Sequence, residues 1–488
     1  MNIMSQSQVI AITLIFYQVT LISIGILASK KIKSNVDFLL GGRQLGPWVA
    51  GLSYAASTSS AWVLIGFSGF VFTYGFSALW MMPGIWGGYI IMWLNLGPTI
   101  RSQSSAMRWV TPTEFICANV EKNNKEKIAV LAAFLIAFCF IFYIAAQFDA
   151  ASDAFSSNFN ISPRSSLVLG ALIILFYCLL GGFWAASLTD TIQAIVMVCA
   201  AVSVSVVTYI EAGGYQDISL SLNSIENFTS WSGGYKGFLF IGLLAGVIGI
   251  GSGTFGQPHL IARLMAVKGE KELKTGFKIA FFWVIVIYLA MAVLGISARS
   301  LLDSSVTGEE IFYIMAEDLL PPVLSGIVIA SVLSAVMSTV DSLLLASSSA
   351  VSHDLKLAKY LKYKELTVSR LVMTMIVLLA ILLAWTLPDS IFNRVLFEWS
   401  ALGAAFGAIV IARVLEHEPS YHARISSILI GFFSTVLFYT FGNINPANTS
   451  NGLFKVLSYL GNLPGDPFER LIPFILSCFV IFAFSKTK

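Results

Sequence analysis

The sequence predicts an all-α polytopic membrane protein of about thirteen transmembrane helices. Three observations predict it. Of 488 residues, 57% are hydrophobic and only 11% are charged, a composition at odds with an ordinary soluble domain. Apolar segments long enough to cross a bilayer recur along the whole chain. Finally, all but six of the 29 Lys and Arg residues (Arg164, Lys236, Arg299, Arg394, Lys455 and Arg470) fall on one side when the segments are threaded alternately. The positive-inside rule then places the N-terminus outside and the C-terminus inside. The chain is expected to be a multi-pass protein of the cell membrane, the inner one in a bacterium.

The first span, 8–28, is full length, has no basic run before it and is followed by KKIK, so it is expected to stay as a helix rather than leave as a signal peptide. The second, 46–71, carries GLSYAASTSSAWVLIGFSGF, dense in small and hydroxyl residues at mid-membrane depth. Spans 76–99, 128–153, 164–184 and 187–210 follow. The seventh, 237–258, has glycines at 242, 246, 249, 251, 253 and 256 ahead of Pro258. Each glycine weakens a helix by about 1 kcal/mol, and proline removes a donor. Irregular backbone at that depth survives only where it is buried in protein or lines a cavity. Spans 277–298, 320–350, 366–387, 391–413, 422–442 and 467–485 complete the set.

The two interrupted spans lie five helices apart and so enter from opposite sides, the pattern of an inverted-repeat transporter with its site at the midplane. The whole chain, 1–488, reads as one membrane domain. Residues 46–210 form the first repeat and 237–413 the second, with 8–28 and 422–485 peripheral. Tight packing of glycine-rich helices is the competing explanation.

The ninth span holds SVLSAVMSTVDSLLLASSS at Ser331–Ser349. A charge at mid-membrane costs roughly 2.5–3.5 kcal/mol even on the lenient insertion scale. Ser334, Ser338, Thr339, Asp341 and Ser342 are tolerated there if a cation uses them, since a dehydrated small cation wants several hard oxygens. A polar seam between packed helices is the bland alternative.

Several segments resemble the sodium:solute symporter family, and within it the bacterial sodium/proline branch. They are SAWVLIGFSGFVF (60–72), LLGGFWAASLTDTIQA (179–194), TFGQPHLIARLMA (254–266), SAVMSTVDSLLLASSSAVSHDL (334–355) and ALGAAFGAIV (401–410). The resemblance implies a LeuT-like core of five plus five helices that couples inward sodium movement to uptake of a small solute, proline or another amino acid or zwitterion. It implies a first sodium site at Ala56, Ser59, Ala335, Ser338 and Thr339. A second cation site would use Asp190, Ser338, Asp341 and Ser342. Asp190 could instead cap a helix. The solute pocket would draw on Ser60, Trp62, Tyr143, Ile250, Thr254, Gln257 and Pro258.

The departures matter as much. Thr58 stands where the proline branch has Asp, and Asp341 where it usually has Ser. Ile250 and Thr254 replace an expected Trp and Tyr, which enlarges the pocket and removes stacking surface. Asp149, Asp153 and Glu398 could face an outer vestibule and attract a cationic solute, or sit as interfacial carboxylates in water.

Coupling to protons, or transport of an organic cation or small carboxylate, remains open at this point. An intramembrane enzyme is disfavoured because His259, His353, His417 and His422 are all expected at cytoplasmic ends or in loops, and the five cysteines lack CxxC spacing. A transporter-like sensor would be expected to append a soluble domain. The anticipated partners are sodium, a small-molecule solute and the lipid bilayer, with no cofactor beyond the coupling ion, no nucleic acid and no obligatory protein partner.

Overall fold

Apolar runs fold here as helices because, in hydrocarbon, the backbone must satisfy its hydrogen bonds within its own segment. The computed structural model describes residues 6–29, 35–159, 161–180, 182–386, 390–448 and 452–487. Its principal helices are α1 (Gln6–Ser29), α2 (Pro47–Ala61), α3 (Ser68–Tyr74), α4 (Met81–Ile90), α5 (Gly97–Ala106), α6 (Lys122–Phe159), α7 (Pro163–Leu180) and α8 (Phe183–Glu211). They continue as α9 (Phe238–Gly253), α10 (Pro258–Ala266), α11 (Glu270–Leu301), α12 (Pro322–Ser349), α13 (Glu365–Thr386), α14 (Ile391–Val414), α15 (Tyr421–Gly442) and α16 (Ile472–Ala483). The only sheet among the described residues is a two-stranded antiparallel pair, His417–Pro419 with Ser485–Thr487, with His417 opposite Thr487.

Ten helical stretches among the described residues are long and apolar enough to cross a membrane. One of them, Pro47–Ala106, runs for 60 residues and so contains both the second and third expected spans. The fifth appears as the shorter apolar helix Pro163–Phe176, and the last helix, α16, has 12 residues.

The core lies between α2, α8, α11 and α12. Residues 325, 326 and 328–349 of α12 are all buried, hydroxyls and carboxylate included. The glycines of the seventh span permit close approach rather than unusual torsions. Gly253 has ordinary helical angles, yet a Cβ there would lie 2.8 Å from Trp399 O and collide with the indole. Gly253→Ala is therefore expected to destabilise the fold by about 1–3 kcal/mol through overpacking, against a helix-propensity gain of about 1 kcal/mol. A melting curve in detergent checks this.

Candidate functional site

The second span breaks at Ser60, whose φ of 49° and ψ of −173° lie outside the helical region. Holding a serine there costs about 1–3 kcal/mol, so the surroundings must over-determine it. They do. The freed amide of Ala61 donates to Gln147 Oε1 at 3.2 Å, and the Trp62 amide donates to Ser60 Oγ at 3.1 Å. The seventh span breaks between α9 and α10, where Thr254–Gly256 tightens to a 3-10 turn and Gln257 is extended. Pro258 then starts α10 at a position where no donor is needed. Two bonds tie this break to α14: Gln257 Nε2 to Trp399 O (3.3 Å) and Trp399 Nε1 to Ile250 O (3.1 Å).

The five residues expected at a first sodium site are all buried. Ser57 Oγ lies 3.1 Å from both Ser338 O and Ser342 Oγ, so α2 and α12 touch at this level. Ser338 Oγ donates back to Ala335 O at 3.1 Å. Ser59 Oγ and Thr339 Oγ1 are buried without a partner. An unsatisfied buried hydroxyl costs about 1–3 kcal/mol.

The cluster expected to hold a second cation already holds a guanidinium. Arg263 Nη2 sits 2.8 Å from Asp190 Oδ2 and 2.5 Å from Ser342 Oγ, while its Nε reaches Ser53 Oγ at 2.9 Å. Ser53 Oγ also donates to Asp190 Oδ2 at 2.8 Å. The sequence reading put Arg263 in a cytoplasmic connection. It is instead 2% exposed, because the helix restarting at Pro258 carries it back into the bundle. Asp190 is no helix cap either: Gly182 caps α8, and Asp190 lies two turns inside. Asp341 Oδ1 is 2.9 Å from Ser342 Oγ, whereas Asp341 Oδ2 and Asp190 Oδ1 have no partner. Two carboxylates thus face one guanidinium.

The residues expected to contact solute are buried, and Trp62 is closed over by Phe392 in a stack with 5.7 Å between centroids. Beyond Phe392 a cavity of about 460 Å³ opens, lined by Gly66, Phe70, Asn393 and Arg470 among others. Tyr143 faces Ser60, but its hydroxyl makes no hydrogen bond of good geometry. Ile250 and Thr254 lie on the other flank, Thr254 beside Gly88 of α4.

Three further expectations are corrected. His259 is no loop residue; its ring is buried between Phe140 (5.6 Å) and Trp399 (6.5 Å). Asp149 is paired with Arg394, so it offers no free charge to a solute. The side chain of Asp153 lies outside the described residues. Glu398 is no interfacial carboxylate in water: it is fully buried on α14. Sequence reading also missed Gln147, which lies one helical turn after Tyr143 on the same face.

The sequence profile of the sodium:solute symporter family matches residues 38–418. The chain belongs to that family. This symporter is a transporter that couples solute movement to sodium, not an enzyme. It is 31% identical to the sodium/proline symporter of Escherichia coli K12 over 489 aligned positions, covering 96% of each chain. It is 29% identical to sodium/proline symporter 2 of Staphylococcus saprophyticus, over 91% of this chain and 88% of that one. The symporter shares its fold with a Na+-coupled sialic acid symporter solved in a substrate-bound outward-open state (TM-score 0.75, 17% identity, 98% and 99% of the two chains). Mhp1, a nucleobase-cation-symport-1 family transporter, is a more distant match (TM-score 0.54, 16% identity, 91% and 93%).

Proposed function

We propose that this symporter takes up proline or another small amino acid or zwitterion across the cell membrane together with sodium. The chain would be threaded as thirteen spans, N-terminus outside and C-terminus inside, with repeats at 46–210 and 237–413. Sodium would bind at Ala56, Ser59, Ala335, Ser338 and Thr339, and the solute beside Ser60, Trp62, Tyr143 and the break at residues 254–258. The observation that carries the sodium reading is the pair of unpartnered buried hydroxyls, Ser59 Oγ and Thr339 Oγ1, at the broken helix and its neighbour. Sodium bound there bridges α2 and α12 and steadies the Ser60 break, which finishes one wall of the solute pocket. Linkage makes the effect reciprocal: solute tightens sodium by the factor that sodium tightens solute. Ile250 and Thr254, where rings were expected, leave room for a solute larger than proline.

The test is uptake of labelled L-proline into proteoliposomes under an inward sodium gradient, with unlabelled amino acids as competitors and potassium as control. Accumulation only with sodium supports the reading. Uptake in potassium that follows an imposed pH gradient overturns sodium coupling. Thr339→Val, which removes one hydroxyl and keeps the shape, is expected to raise the sodium needed for half-maximal uptake at least tenfold.

A further inference from the structure

Glu398 sits on α14, six residues past Phe392 and about 9 Å further along the helix. It is fully buried, and neither carboxylate oxygen makes a hydrogen bond of good geometry. Gln257, from the break before α10, reaches its carboxyl, and Tyr143 and Cys139 of α6 lie within electrostatic range. Two of these are themselves unsatisfied, at Gln257 Oε1 and Tyr143 Oη. Three buried polar side chains on three elements therefore lie in one region with unused bonding capacity.

The bland explanation is a carboxylate neutralised by a nearby cation of the protein. The arginines closest in the fold are committed elsewhere. Arg263 is held by Asp190, Ser53, Ser342 and the carbonyl of His259, and Arg394, one turn before Glu398, pairs with Asp149. Among the described residues no ion pair includes Glu398. A buried carboxylate without a counter-charge costs several kcal/mol. Nor is the position incidental to the moving parts. Its neighbour Trp399 is bonded to both Ile250 and Gln257, so whatever binds at Glu398 touches α14 and the seventh-span break at once.

We infer that Glu398 belongs to the solute pocket and pairs directly with a positively charged nitrogen of the solute, so that the transported class is ammonium-bearing. This rests on the reading of the pocket as a solute site. The carboxylate supplies the missing counter-charge, Gln257 Oε1 and Tyr143 Oη offer acceptors to remaining N–H groups, and the faces of Tyr143 and Trp399 suit a cation. A solute carrying only a carboxylate meets Glu398 as a like charge and is excluded. Substituting rings at Ile250 and Thr254 would change pocket shape, whereas Glu398 sets the sign of charge that enters.

The test uses purified full-length protein in sodium buffer. Thermal shift is read with L-proline, L-lysine, glycine betaine and choline as ammonium-bearing probes and with L-lactate as the anionic one. The shift given by sodium alone, against potassium, is read first, and its absence in wild type sinks the sodium reading and not this one. With that shift intact, at least one ammonium-bearing probe is expected to stabilise wild type, and L-lactate is not. Glu398→Gln is expected to weaken that probe at least tenfold while keeping the response to sodium. Glu398→Asp, which keeps the charge and so controls for folding, is expected to recover part of the affinity. Equal affinity in wild type and Glu398→Gln overturns the inference, as does a response to L-lactate with none to the ammonium-bearing probes.

Discussion

Replacing Asp190 with alanine is expected to cost about 3–5 kcal/mol of stability and to abolish uptake, because it leaves the buried guanidinium of Arg263 without its main counter-charge. The pair is almost solvent-free, with side-chain exposures of 3% and 0% at 2.8 Å, so water cannot replace the lost carboxylate. Asp341 lies close enough to share the load, which sets the loss within that range rather than above it. Removing both charges tests the cause. Asp190→Ala with Arg263→Met is expected to be more stable than Asp190→Ala alone, since no orphaned charge remains. Melting temperatures of the wild type, the two single variants and the double variant give the coupling directly. A double variant no better than the single one would mean that the two side chains do not pair in the folded protein.

The fold was largely legible, and for a physical reason: a hydrophobic solvent forces apolar, self-satisfied helices, and composition reports them. The two interrupted spans were also legible, since Gly242 to Gly256 with Pro258, and the hydroxyl-rich stretch around Thr58, are poor helix material. What the sequence did not locate was the hinge itself. Ser60 adopts a positive φ that glycine would ordinarily supply, and the amide freed beside it, that of Ala61, is held by Gln147, 86 positions further on. No local pattern records such a contact. Arg263 was misplaced for a different reason. Charge counting assigns a basic residue near a span end to the water side, but Pro258 was a readable sign that a new helix starts there and carries the next residues inward. Glu398 gave no local sign of burial, because its neighbours Leu396, Phe397 and Trp399 suit an interface and an interior equally well.

Asp341→Asn is expected to weaken sodium by roughly 30- to 150-fold with little loss of fold. With both ionised, as when a cation is bound beside them, Asp190 and Asp341 carry two negative charges against the single positive charge of Arg263, which leaves one for the cation. Ser338 and Thr339, proposed to bind sodium, stand three and two residues before Asp341, with Ser338 on the same helical face. At about 6–8 Å and an effective dielectric constant near 20, a unit charge contributes roughly 2–3 kcal/mol to a cation, or about 30- to 150-fold in affinity. Thr58, standing where a carboxylate was expected, donates to the carbonyl of Tyr54 at 2.6 Å and supplies no charge, so Asp341 has no deputy on α2. Asparagine keeps the size and can still accept from Ser342, which is why stability is spared. Sodium titrations by thermal shift, in wild type and variant, measure the change. By reciprocity the solute must also bind more weakly at fixed, subsaturating sodium, and this second readout separates loss of a charge at the ion site from damage to the pocket. Sodium affinity unchanged in the variant would assign Asp341 to packing alone.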